Sequence, residues 1–188
     1  DSPYYINSTI SIDEDVLLIV ESGADILFGE DAGLNIRGTL QLGDENGTVS
    51  VSSHSGDLAG SWWGIAILET GKLITEGAEI SEANVTIRSN SDDVFIRNST
   101  ISNCINTAEL VNCTIGFYNS TYDNTSFIFQ DNLSVVKSYS MLDLEIVDIY
   151  DDPAGVIDVN LLDIDLVTRY QFTTNSTGLV PSFLMEGY

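Results

Sequence analysis

The chain has 188 residues, 29 acidic against 6 basic, and a formal net charge of −23. That charge excludes a nucleic-acid binder and a protein held to anionic membranes by a basic face, because neutralising phosphate requires clustered lysine and arginine. An apolar share of 43% separates it from a disordered acidic tail, and the length suffices for a buried core in one large domain or two small ones.

Lys72 and Lys137 are the only lysines. An acidic, lysine-poor exterior fits a saline or extracellular medium and is compatible with divalent cations. No run of about 18 apolar residues is present to span a bilayer, so no membrane insertion is expected. The start at Asp1 rather than Met reads as a processed or a trimmed terminus, and processing would imply export.

From Thr9 to Val51 the pattern predicts short strands over Thr9–Ile12, Val16–Val20, Asp25–Phe28, Leu34–Arg37, Thr39–Leu42 and Thr48–Val51. Leu34 with Ile36, Leu40 with Leu42 and Val49 with Val51 alternate with polar residues, the period-2 pattern of a sheet with one buried face. The separators are acidic or glycine turns, several of them a single glycine. Asn46-Gly47 is the one strong hairpin signal. Short strands at this spacing suit an antiparallel sandwich or barrel, or a parallel β-helix with three strands per coil. The scarcity of hairpin turns favours the helix. The only helical pattern, Thr107–Val111, is too short to stand alone.

The word N-x-T-I occurs at Asn84-Val85-Thr86-Ile87, Asn98-Ser99-Thr100-Ile101 and Asn112-Cys113-Thr114-Ile115, each copy fourteen positions after the last, with an out-of-phase copy at Asn7-Ser8-Thr9-Ile10. A fixed interval predicts stacked, equivalent positions. Gly33-Leu34-Asn35-Ile36-Arg37-Gly38-Thr39-Leu40, then Trp63-Gly64-Ile65 after a Ser/Gly loop, then the pattern from Gly71 to Ala83 resemble the right-handed parallel β-helix segments of archaeal and bacterial cell-surface proteins. The resemblance covers residues 5–125 and implies fold more than function, because such helices serve as lyases, adhesins and inert scaffolds. Coils of that group are usually longer than the N-x-T-I interval, so this region reads either as unusually tight or as having another element interposed.

Beyond Leu133 the character changes to longer alternating segments at 142–148, 156–166, 169–174 and 179–185. The turn at Asp152-Pro153, the turn Thr173-Thr174-Asn175-Ser176-Thr177-Gly178 and the aromatic Tyr188 resemble a small carboxypeptidase-regulatory-like or Ig-like β-sandwich. The expected organisation is all-β: a parallel β-helix over 1–130 and a partial antiparallel sandwich over 131–188. About four strands leave open edges.

N-x-Ser/Thr sequons occur at Asn7, Asn46, Asn84, Asn98, Asn112, Asn119, Asn124, Asn132 and Asn175, nine of the fourteen asparagines, where composition would give roughly three. Dense N-glycosylation of an exported protein is expected at all but Asn112, whose middle residue is Cys113. The opposing reading is a ladder of Asn and Thr in the turns of a β-helix, which accounts for the copies at 84, 98 and 112. Cys104 and Cys113 are read either as a disulfide closing a short loop in an oxidising compartment or as two small buried apolar residues.

Acidic pairs or triplets lie at Asp13–Asp15, Glu30-Asp31, Asp44-Glu45, Asp92-Asp93, Asp151-Asp152 and Asp163 with Asp165. Hard oxygen ligands on turns suit Ca²⁺, with Asp151 and Asp152 the first place to look, although none matches an EF-hand loop. The opposing reading is a solvated exterior. His54, the single histidine, sits near Asp57 and among abundant serines; one histidine cannot build a multi-histidine metal site. Of Trp62 and Trp63, one is expected inside the coil and the other outside. No constellation points to catalysis.

Two functions follow as expectations. One is a non-enzymatic extracellular structural protein, glycosylated and self-assembling into a filament, sheath or surface layer. Its donated strand would be the segment containing Leu179, Val180, Phe183, Leu184 and Tyr188. The other is a carbohydrate-binding or carbohydrate-cleaving β-helix with Trp62, His54 and outward carboxylates along a groove, since paired carboxylates are a three-dimensional property.

Overall fold

A computed structural model describes residues 2–56, 58–122, 126–142, 156–162, 168–177, 179 and 183–187. Its strands, in chain order, are β1 (Tyr4–Ile6), β2 (Ile10–Ile12), β3 (Leu17–Val20), β4 (Asp25–Phe28), β5 (Gly33–Ile36), β6 (Thr39–Leu42), β7 (Val49–Ser53), β8 (Gly64–Ile67), β9 (Lys72–Glu76), β10 (Ala78–Ser81), β11 (Val85–Ser89), β12 (Val94–Arg97), β13 (Thr100–Ser102), β14 (Asn106–Leu110), β15 (Thr114–Tyr118), β16 (Thr121–Tyr122), β17 (Ser126–Phe129), β18 (Val135–Leu142), β19 (Asp158–Leu162), β20 (Thr168–Thr173) and β21 (Phe183–Gly187).

Every third strand stacks on its predecessor, which makes a parallel β-solenoid of about six turns. The first sheet runs β1-β4-β7-β10-β13-β16, the second β17-β14-β11-β8-β5-β2, and the third β21-β18-β15-β12-β9-β6-β3. The expected parallel helix is therefore present, and the short glycine separators are its corners. Thr107–Val111 is not helical: β14 covers most of it, because its neighbours offer ladder partners on both sides.

The N-x-T-I interval is not the coil length. Ile80 pairs with Ile101 and Ile96 with Phe117, a step of 21 positions. Three strands of about equal length share that step, so one side takes seven positions and the N-x-T-I interval spans two sides. The N-x-T-I words therefore open β11, β13 and β15, one in each sheet, and do not stack. The quantity that repeats is the core position. Leu73, Ile80, Ile87, Val94, Ile101, Ala108 and Ile115 stand seven apart, and each is fully buried. Burying an Ile or Leu contributes about 1.5–3 kcal/mol, so these positions, which stack within each of the three sheets in turn, stabilise the later coils. Earlier coils are longer, since Leu40 pairs with Leu73; the extra chain lies in corner loops.

Tight corners need a left-handed residue. Gly77, Asn98 and Asn119 occupy one corner of successive coils with φ of 72°, 46° and 50°, and asparagine is the side-chain-bearing residue that tolerates this region best. Inside that corner, Thr75 Oγ1 and Ser99 Oγ share a hydrogen bond of 2.8 Å, Ala78 N donates to Ser99 Oγ, and Ser99 N donates to Ser120 Oγ. The buried hydroxyls thus take up corner N–H groups that the sheets cannot pair.

The chain divides into two compact units: residues 1–139 with 186–188, and residues 140–185. In the second, β19 and β20 form an antiparallel pair, Val159 opposite Phe172. β18 pairs with β15, so the parallel third sheet continues past residue 130. No helix among the described residues is long and apolar enough to cross a membrane.

Candidate functional site

β1, β2 and β3 are the outermost strands of their sheets and each is paired on one side only among the described residues. Their apolar side chains face solvent: Tyr5 is 56% exposed, Leu17 58% and Ile19 51%, with Tyr4, Ile10 and Leu18 also exposed. A cavity of about 730 Å³ opens between the sheets here, lined by Tyr4, Ile6, Ile10, Leu18, Val20 and Ile26. The inward-facing period-2 pattern of a coil is present, but no further coil lies beneath it among the described residues. An exposed parallel edge with apolar flanks is a template for another strand.

The expected glycosylation sites divide by geometry. Asn7, Asn46, Asn84, Asn98, Asn119, Asn132 and Asn175 are exposed; Asn124 lies outside the described residues. Asn119 Nδ2 donates to Asn98 Oδ1 at 2.8 Å, and Asn98 Nδ2 donates to Glu76. Both acceptor nitrogens are thus engaged in a corner ladder. Thr86, the hydroxyl of the Asn84 sequon, is fully buried. At Asn175 the amide oxygen accepts from Thr177 N and Oγ1 and from Leu179 N, which leaves the nitrogen turned away from the turn.

Cys104 and Cys113 are free, buried thiols. This corrects the disulfide expectation. Cys104 lies between β13 and β14, at the corner joining the first sheet to the second; Cys113 lies between β14 and β15, at the corner joining the second to the third. Their sulfurs point to Ser102 O and Ser89 O respectively. Burial pushes both thiols up from their ordinary pKa, so both are protonated and unreactive at neutral pH.

The carboxylates act as corner caps. Asp92 accepts from Thr114 N at 2.6 Å, Asp44 from Asn46 N and Ser22 Oγ at 2.8 Å each, and buried Glu82 from Ser53 N at 2.9 Å. Asp131 accepts from Asn112 N, Leu133 N and Ser134 N. These N–H donors, that of Asn112 foremost, hold the Asp131 carboxyl at about 2. Sequence reasoning misses Asp131; Asp131-x-x-Ser134, an acidic residue followed by a short polar turn, is the available signal for such a local cap. Among the described residues no group of three or more His, Cys, Asp or Glu is placed to hold a metal ion. Asp151, Asp152, Asp163 and Asp165 lie outside them.

Trp62 is the inward tryptophan, stacked on Phe28 at 4.5 Å with Nε1 donating to Ser81 O. Buried there, it cannot line a carbohydrate groove, which corrects that part of the second expectation. Trp63 faces outward, but Arg88 lies over its ring at 4.4 Å. Burial lowers the pKa of Arg88, and Glu109 at 3.4 Å opposes the shift. His54 packs edge-on against Tyr5; Asp57 is outside the described residues.

The segment expected to be donated to another copy lies only partly within the described residues. Phe183 and Leu184 fall in β21, which stands beside β18 in the third sheet. Leu179 is exposed; Val180 and Tyr188 lie outside the described residues. Comparison with family models, with characterised proteins and with solved structures found no match to this chain.

Proposed function

We propose that this chain is a non-enzymatic structural protein of an extracellular surface: a glycosylated subunit that self-assembles into a filament, sheath or surface layer. What supports the reading is that β1, β2 and β3 are each paired on one side only among the described residues, around a cavity lined by both apolar and polar side chains. A second copy stacked end to end would pair with these edges. Among the described residues β16 and β17 are the last strands of the first and second sheets, and Tyr122 and Phe129 are exposed, so these parallel edges could receive it. A head-to-tail contact of this kind does not close and propagates as a polymer.

The finer structural reading is a right-handed helix like those of archaeal and bacterial cell-surface proteins, followed by a small Ig-like sandwich of which β19 and β20 form part. Glycans at Asn7, Asn46 and Asn175 fit the exposed, hydrated exterior of an exported protein.

The test is negative-stain microscopy of the chain at neutral pH, with and without EDTA. Filaments or sheets are expected, and their loss in EDTA adds structural Ca²⁺. Dispersed monomers in both conditions overturn self-assembly.

A further inference from the structure

The corner after β6 carries an insertion. Between β9 and β10 the chain passes this corner with Gly77 alone, and between β12 and β13 with Asn98 and Ser99, whereas residues 43–48 separate β6 from β7. The extra residues fold into a tight turn. Asp44 and Gly47 form an antiparallel bridge, and Asp44 Oδ1 accepts from Asn46 N at 2.8 Å. The turn is tied to the coil before it. Ser22 Oγ accepts from Asp44 N at 3.2 Å and stands as donor 2.8 Å from Asp44 Oδ1 and 3.0 Å from Gly47 O, and Gly23 N donates to Thr48 O at 2.8 Å. It also rests on the coil after it, where a β-carbon built at Gly77 would stand 2.8 Å from Gly47 O. One turn therefore joins three successive coils, with Asn46 and Gly47 at its exposed tip.

Asparagine followed by glycine is the pair in which a main-chain nitrogen most readily reaches the preceding side-chain amide, because glycine puts no β-carbon beside that nitrogen and leaves its dihedrals free. At three other sequons the corresponding nitrogen is engaged. Ser99 N, after Asn98, donates to Ser120 Oγ at 3.1 Å; Cys113 N, after Asn112, to Ser134 Oγ at 3.4 Å; and Leu133 N, after Asn132, to Asp131 Oδ1 at 2.6 Å. The side-chain nitrogens of Asn98 and Asn119 are bonded as well. Among the described residues no side chain accepts from Gly47 N, which belongs to the bridge with Asp44. Apart from its chain neighbours, a β-carbon built at Gly47 would meet only Ser22, at 3.3 Å. The tip is uncrowded, and its nitrogen is tied to nothing beyond the turn itself.

We infer that Asn46 is a site of spontaneous main-chain cyclisation in chains that carry no glycan there. Gly47 N gives up its proton to hydroxide and bonds to Asn46 Cγ. The Cγ–Nδ2 bond breaks, and ammonia leaves with a proton taken from water. The cyclic imide then takes up water at either carbonyl. One opening gives aspartate; the other gives a β-linked aspartate, whose side-chain carboxyl carbon has become part of the main chain. The net change is amide and water to carboxylate and ammonium, with no oxidant or reductant consumed. The β-linked product lengthens the backbone of the turn by a methylene, which moves Gly47 O off Ser22 and Gly77 and loosens the joint between coils. A glycan on Asn46 occupies the nitrogen that must leave. The sequon Asn46-Gly47-Thr48 is thus the acceptor of one modification and, once filled, a protection against the other. The inference does not rest on self-assembly.

The test is peptide mass spectrometry of the whole chain, made in a host without N-glycosylation and held in warm, mildly alkaline buffer. The gain in mass from amide to acid is expected on the peptide holding Asn46, split into two chromatographic forms, and faster as pH rises. Asn98, Asn112 and Asn132 are expected to keep their amides in the same sample. Gly47→Ala, whose added carbon meets only Ser22, is expected to lose most of the product with unchanged circular dichroism. Should that variant fail to fold, hydroxylamine carries the test on wild type: it attacks the imide and is expected to cut the chain into residues 1–46 and 47–188. An Asn46 that keeps its amide, equal conversion at the other three asparagines, undiminished conversion in folded Gly47→Ala, or no cut by hydroxylamine overturns the proposal. Converted chain is expected to melt below fresh chain; an equal midpoint overturns the loosening of the joint.

Discussion

Asn119 donates its side-chain amide to the side-chain oxygen of Asn98, one coil away, at 2.8 Å. Both residues hold the left-handed backbone of the same corner. Conformation and side-chain bonding therefore depend on one residue type at both positions.

Asn119→Val is expected to destabilise the protein by about 1–2 kcal/mol, since a branched side chain is disfavoured in this backbone region, and Asn119→Gly by less. Urea unfolding of the three proteins checks the order; equal midpoints would show that the ladder is incidental. The same geometry predicts glycopeptide mass spectrometry with Asn98 and Asn119 unoccupied and Asn175 occupied in material from a glycosylating host.

The buried positions seven apart predict larger losses. Ile87→Ala removes a fully buried side chain and is expected to cost about 2–5 kcal/mol. Gly64→Ala is expected to be worse. Its backbone stands at φ 111° and an added Cβ would overlap Val85 O, so β8 and β11 cannot keep their spacing. Thermal unfolding followed by far-ultraviolet circular dichroism measures both.

How much of this is legible in the sequence? The first six strands of the repeat from Thr9 onward are, to within a residue or two, because one buried face imposes alternation and glycine marks the corners. Trp62 and Trp63 divide inward and outward as neighbours on a strand must. The coil length is obscured by the word N-x-T-I, whose interval covers two sides of a triangle; the sevenfold core spacing from Leu73 to Ile115 holds the answer. The cysteines cannot be placed without it, since their separation exceeds one side and puts them at adjacent corners. That β1, β2 and β3 are outermost among the described residues is invisible, because an inward-facing pattern looks the same whether or not another coil covers it.

Asp131 ties stability to acid. Its carboxyl titrates at about 2, below the ordinary 3.8, because three N–H groups favour the charged form. The stabilisation is complete above the ordinary value and is lost as pH falls through the folded one. Wild type is expected to lose stability between about pH 4 and 2. Asp131→Asn should be weaker at pH 7 and show a smaller acid loss. Denaturant midpoints at pH 7, 4 and 2 check this; parallel curves would remove the capping role.

The thiols give a direct check of the corner assignment. Ellman's reagent is expected to find no reactive cysteine in the native chain and two after denaturation without reductant. Two only after reduction would require a disulfide and a different coil register.

Coils stacked strand on strand set a length scale. Each added turn extends the body by one strand spacing, about 4.8 Å, and leaves its cross-section unchanged. Height along the axis is therefore counted in whole turns, like courses of brick. A chain of this construction can be lengthened or shortened by a turn while every outward side chain keeps its compass bearing, and distances between partners at its two ends change only in fixed steps.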